Sequence, residues 1–94
     1  MNINITGIGV EVTEPLRNYV NSKIQKLTTF FSNITNTHVT LTVDKLKHIA
    51  KADIHLALKQ IHASAEAENM YTAIDLLMDK LDKQVVKHKE KLGE

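Results

Sequence analysis

A chain of 94 residues, 43% hydrophobic and 24% charged, has enough apolar content for one core and too little length for two, so a single domain over residues 1–94 is expected. The absence of cysteine excludes a disulfide framework, a thiolate metal site and a thiol nucleophile; with no leader pattern at Met1–Ile5 and no apolar run near the roughly 18 residues of a membrane helix, a cytoplasmic protein is expected. A formal net charge of +1 does not by itself advertise a polyanion partner, so any such surface has to come from the distribution of charge.

Asn2–Thr6 alternates, with Ile3 and Ile5 on one face, and Gly7 and Gly9 end what reads as a short strand. Thr13, Glu14 and Pro15 then give a hydroxyl cap, an acid in the first turn and a proline where no amide partner is needed. A helix from Glu14 to about Phe31 follows, because Leu16, Val20, Ile24, Leu27 and Phe31 make one apolar stripe. Ser32, Asn33 and Asn36 supply loop chemistry.

Val39, Leu41 and Val43 alternate with His38, Thr40 and Thr42, a β-branched pattern that predicts a strand with one buried face. Ala52, Ile54, Leu56 and Leu58 interleave with Lys51, Asp53, His55 and Ala57 in a third strand, and Ile61, Ala63 and Ala65 stand opposite His62, Ser64 and Glu66 in a fourth. The connections fall around Lys45–Ile49 and around Lys59, neither with glycine or proline, and their shortness predicts a meander of hairpins. Asn69 caps a final helix whose apolar series is Met70, Ile74, Leu77, Leu81, Val85, His88 and Leu92. The order β-α-β-β-β-α predicts an α+β fold: a four-stranded sheet with both helices on one face and the other face polar and exposed.

Charge changes sign along that last helix. Gln60 to Asp79 holds four acids and no lysine or arginine, whereas Lys80 onward holds five lysines against three acids. At about 100° per residue, Lys80, Lys83, Lys87 and Lys91 fall in a sector of about 80° beside the apolar series, and Asp75, Asp79 and Asp82 fall on the opposite flank. Such a row can follow phosphates along a polyanion. It also suits the helix dipole and solubility, and the pattern alone leaves both readings open. On the first helix, Lys23 and Lys26 lie near one edge of the stripe and Arg17 beyond the other.

His38, His55 and His62 are expected on the solvent side of their strands, and His88 packs within the apolar series. No pair of histidines has zinc-motif spacing, so neither metal nor cofactor is expected. With no Gly-rich phosphate loop, serine elbow or His-Glu-x-x-His motif, the chain reads as a non-enzyme that docks on a structured surface and takes no small-molecule substrate.

Several stretches carry a resemblance over essentially the whole chain: Asn4-Ile-Thr-Gly7; Val10-Glu-Val-Thr-Glu14 with Leu16-Arg17; Lys23 and Lys26-Leu27; and above all Ile61-His-Ala-Ser-Ala-Glu66 with Met70-Tyr71, Ala73-Ile-Asp75, Asp79-Lys-Leu81 and Lys87-His-Lys89. In this order and spacing they resemble the family of ribosome hibernation-promoting factors, ribosome-associated inhibitors and sigma-54 modulation proteins. The resemblance implies a β-α-β-β-β-α domain, similar in shape to double-stranded RNA-binding domains, that lodges on the small ribosomal subunit where messenger and transfer RNA would sit. It implies that translation is silenced by occlusion in stationary or starved cells, and that ribosomes pair into inactive dimers with a separate ribosome modulation factor. The RNA-facing positions it implies are Lys23 and Lys26 on the first helix, Lys80, Lys83, Lys87, Lys89 and Lys91 on the last, and Lys45 and His48 in the loop after the second strand. Tyr71 and His62 match family positions that packing also accounts for.

The chain departs from the family pattern at Ile8, where relatives often have a basic or polar residue, and at Ala57-Leu58-Lys59, where they often have glycines. Only Gly93 and Glu94 follow Leu92, which places the expectation on the short, dimer-promoting class. Two other functions fit the residue pattern: a domain for other structured RNA, and a protein-interaction module using the histidine-bearing sheet face.

Overall fold

The sheet register puts the apolar members of the alternating strands on one side, except Ile8 and Ile49 at one end of the outer face. The computed structural model describes the backbone of residues 2–29, 34–56 and 60–92, and the side chains of residues 3–27, 36–56 and 60–84. The elements are β1 (Asn2–Ile8), α1 (Glu14–Thr29), β2 (Ile34–Asp44), β3 (Lys47–Leu56), β4 (Gln60–Ala67) and α2 (Met70–Leu92). The strands lie in the order β1-β2-β3-β4, with β1 parallel to β2 and the two later pairs antiparallel. Ile5 stands opposite Val39, Val39 opposite Ala52, and Ala52 opposite Ala63, whereas the next row runs Thr6, Thr40, Lys51, Ser64. Directly opposed residues share a face, so the first row is inner and the second outer.

Both helices cover the inner face. Leu16, Val20, Ile24 and Leu27 of α1 and Met70, Ala73, Ile74, Leu77 and Leu81 of α2 are buried with Val39, Leu41, Ala50, Ala52, Ile54, Leu56, Ile61 and Ala65 of the sheet. The α1 stripe is the one that its spacing of three and four residues predicts, as far as Leu27. Alanines at 50, 52, 63 and 65 leave room for α2 to lie close over β3 and β4. Thr37 also faces inward and is 1% exposed, the one buried polar side chain among the described residues.

Both predicted caps are present. The Thr13 hydroxyl accepts from the Leu16 amide at 3.4 Å, and the Asn69 side-chain oxygen accepts from the Thr72 amide at 2.8 Å. Such caps contribute about 1 kcal/mol each.

Asn36 lies within β2, which starts at Ile34, and not in a loop, and the strand assignments differ from the sequence reading in three further respects. First, β1 continues through Gly7 to Ile8. Second, β3 begins at Lys47 rather than Lys51, because Asp44 pairs with Lys47 and the β2–β3 connection is only Lys45 and Leu46. Lys45 makes that tight turn with φ of +58°. Third, His48 therefore lies inside β3, opposite Val43 on the inner face, and not in a loop. Phe31 and the β3–β4 connection at 57–59 lie outside the described residues.

Candidate nucleic-acid interface

The lysine flank of α2 leans over the free edge of β4. The Lys80 ammonium donates to the Ser64 carbonyl at 2.7 Å, and the Gln84 amide, one turn later, donates to the His62 carbonyl at 3.0 Å. An edge strand needs partners for its outward carbonyls, and here the helix supplies two. Between this flank and the polar sheet face runs an open groove of about 840 Å³, lined by Thr40, Lys51, Asp53, His62, Ser64, Lys80, Lys83 and Gln84 among others. Its charged groups are three lysines and one carboxylate, and Asp53 is paired with His62 on the neighbouring strand. Lys83 also meets Asp79 at 3.3 Å, so the two flanks of α2 touch across its solvent side.

The polar face carries the histidines where the alternation predicts them. His38 is within hydrogen-bonding distance of the Thr6 hydroxyl at 3.1 Å, in a row that also holds Asp53 and His62. Among the described residues no group of three His, Cys, Asp or Glu could hold a metal ion. The groove is too open to enclose a small substrate, and its exposed ammonium groups are suited to phosphates on a surface.

Lys23 and Lys26 lie elsewhere, along the seam between α1 and α2. Tyr19 donates its phenolic proton to Asp75, and the Lys23 ammonium lies 3.6 Å from the same carboxylate and 5.3 Å from the centre of the Tyr19 ring. The Tyr19 and Tyr71 rings meet edge to face with centroids 4.9 Å apart. The hydrogen bond to Asp75, with burial and the nearby charge adding to it, raises the Tyr19 phenol above its ordinary pKa. Lys26 borders a small hollow with Leu27, Met78 and Asp82. The acidic flank of α2 is thus the docking edge for α1.

The residues expected to face RNA therefore do not form one cluster. Lys80 and Lys83 share the groove, Lys23 and Lys26 border the seam, Lys45 stands at the hairpin tip, and His48 is half-buried on the inner face with Nδ1 unpaired. Lys87, Lys89 and Lys91 belong to the last turns of α2, and their side chains lie outside the described residues. The sequence reading missed Lys51 and Gln84. Lys51 was legible as an outward member of its strand, but its position facing α2 depends on the order of strands in the sheet.

A β-α-β-β-β-α domain with a cationic groove beside its last helix defines the class. The chain belongs to the family described as Sigma 54 modulation protein / S30EA ribosomal protein, whose model matches residues 3–93. It is 49% identical over 92 residues to the ribosome hibernation promoting factor of Salmonella typhimurium, covering 98% of this chain and 97% of that protein. Among solved structures, a ribosomal subunit interface protein from Coxiella burnetii matches with a TM-score of 0.91 and 37% identity, over 96% of this chain and 99% of the other. The N-terminal domain of Thermus thermophilus Protein Y matches with a TM-score of 0.86 and 28% identity, over 94% and 99%. No helix among the described residues is long and apolar enough to cross a membrane.

Proposed function

We propose that this chain is a non-enzymatic ribosome hibernation factor that acts in the cytoplasm as a single domain. It lodges on the small ribosomal subunit in the messenger and transfer RNA channel, inhibits translation by occlusion, and promotes inactive ribosome dimers in stationary phase alongside a modulation factor. The observation that carries this reading is the groove in which Lys51, Lys80 and Lys83 outnumber the single carboxylate of Asp53. Ammonium groups on a rigid helix and sheet suit a phosphate backbone of fixed shape, without reading base sequence. The name and high coverage of the Salmonella typhimurium relative support the ribosome as the target. Lys80 and Lys83, with Lys87, Lys89 and Lys91 further along α2, are the contacts favoured, and Lys51 joins them.

Co-sedimentation with purified small subunits over a salt series is the direct experiment. Wild-type protein pellets with the subunit at moderate salt and is released as salt rises, and the double variant Lys83→Glu with Lys87→Glu stays in the supernatant while folded. Failure of the wild type to pellet would remove the reading. Equal affinity for an unrelated structured RNA would favour a general RNA-binding domain.

A further inference from the structure

The two residues at the tip of the β2–β3 hairpin are chosen against their own fold. Lys45 adopts a left-handed φ of +58°, a conformation that glycine or asparagine ordinarily takes at a turn. Leu46 beside it is 88% exposed, the most exposed large hydrophobic residue among those described, and belongs to neither the core nor its margin. Neither choice helps the chain fold, and a conformational outlier at an exposed tip is grounds for a functional hypothesis.

The surroundings extend the apolar tip. On the outer sheet face Ile8, 56% exposed, stands opposite Thr42, and Thr42 stands opposite Ile49. Two further pairs, Val43 with His48 and Asp44 with Lys47, separate this row from the turn, so Ile8 and Ile49 lie toward the same end of the sheet as Leu46. Lys45 and Lys47 flank Leu46 in sequence, and Lys51, two residues beyond Ile49 on the same face, lines the groove described above. The carboxylates nearby are Asp44, which stands opposite Lys47 in the strand register, and Glu66, opposite Ile49.

We propose that the hairpin tip is an RNA wedge. Leu46, supported by Ile8 and Ile49, packs on an unstacked base in a loop or bulge of ribosomal RNA, while Lys45 and Lys47 hold the phosphates on either side. The inference rests on the reading that the protein docks on ribosomal RNA, and it adds an apolar contact to what the lysines provide. The order cation, apolar, cation matches a nucleotide strand, in which a base lies between two phosphates. A protein pocket receiving Leu46 would instead have to desolvate both ammonium groups. The tip is also continuous, through Lys51, with the cationic groove.

The experiment compares full-length wild type, Leu46→Ser and Lys45→Gly for binding to small subunits and to two synthetic RNAs, a hairpin with an unpaired loop and a fully paired duplex. Leu46→Ser should melt at the wild-type temperature, bind small subunits roughly tenfold more weakly, in line with the loss of one buried leucine contact, and lose the wild type's preference for the looped hairpin. Its salt dependence should be unchanged, because no charge is removed. Lys45→Gly should melt no lower than wild type yet bind more weakly, with a shallower salt slope. Unchanged small-subunit affinity in Leu46→Ser would overturn the wedge while leaving the hibernation reading intact. Weaker small-subunit binding with no change on either RNA would also overturn it, assigning Leu46 to a ribosomal protein. A wild type that ignores small subunits but prefers the looped hairpin through Leu46 would instead overturn the hibernation reading and keep the wedge.

Discussion

Lys80 holds the Ser64 carbonyl at 2.7 Å, so the residue that begins the lysine-rich end of α2 also closes the free edge of β4. One side chain thus serves both fold and surface. Replacing it by methionine keeps the apolar stem and removes the donor, and the expected cost is about 1 kcal/mol in urea denaturation, typical of one partly exposed hydrogen bond. Lys83→Ala should cost no more than about 0.5 kcal/mol, since its ion pair with Asp79 is exposed. On small subunits Lys83→Ala should lower the salt slope by about 1, whereas an unchanged slope would remove Lys83 from the contact. Equal stability of the two variants would mean that the edge contact contributes nothing.

The seam between the helices gives a prediction in alkali. The folded-state pKa of Tyr19 is raised above that of an ordinary tyrosine through its bond to Asp75. The folded protein therefore holds this proton more tightly than the unfolded chain. The resulting stability is fully present below about pH 10 and is lost as pH rises from there through the folded value. In a Tyr71→Phe background only Tyr19 titrates, and its tyrosinate absorbance should develop at higher pH folded than in urea. Adding Asp75→Asn should bring the folded titration down. A folded curve that overlays the unfolded one would contradict the seam as described.

The faces of the strands were legible because alternation at period two is a local property, and Val39, Ala52 and Ile54 are inward as their spacing requires. The turn at Lys45-Leu46 was not, because the usual signal is glycine or asparagine and this chain uses neither, so nothing local marks where β3 begins or that His48 belongs to it. The helical wheel gave the azimuth of Lys80 and Asp75 but not their neighbours. That Lys80 meets β4 and Asp75 meets Tyr19 depends on which strand and which helix lie alongside, a relation 16 residues away in one case and 56 in the other. The same limit hid Lys51, whose place in the groove is set by tertiary packing.

His48 supplies a test that separates fold from binding. Its Nδ1 is buried without a partner on the inner side of β3, beside Val43 and Ala67. An unsatisfied polar atom there costs roughly 1 kcal/mol or more, so His48→Leu should raise the melting temperature. Because the side chain faces the helices and not the groove, affinity for small subunits should stay within about twofold, a difference of roughly 0.4 kcal/mol. A large loss of affinity in a stabilised variant would restore His48 to the interface.

Gly7 and Gly9 bracket Ile8, and their substitution tests how that end of β1 is held. A Cβ on Gly7 would lie 2.3 Å from the Val10 carbonyl oxygen and 2.9 Å from a Val12 methyl, because the chain after β1 folds back over the inner face. The nearest obstacle is backbone, so relief requires the strand end itself to move. Gly9 takes φ of +70°, and a Cβ there would lie 3.0 Å from the Val43 carbonyl oxygen. Gly7→Ala should therefore cost about 2–3 kcal/mol, near the upper range for overpacking, and Gly9→Ala about 1–2 kcal/mol from the left-handed conformation, both measured by circular dichroism in urea. Gly7→Ala should also displace Ile8 from its place opposite Thr42, so small-subunit affinity should fall under conditions where the variant is still folded. A folded Gly7→Ala protein with wild-type stability would show that the chain after β1 does not close over Gly7, and the placement of Ile8 would fall with it.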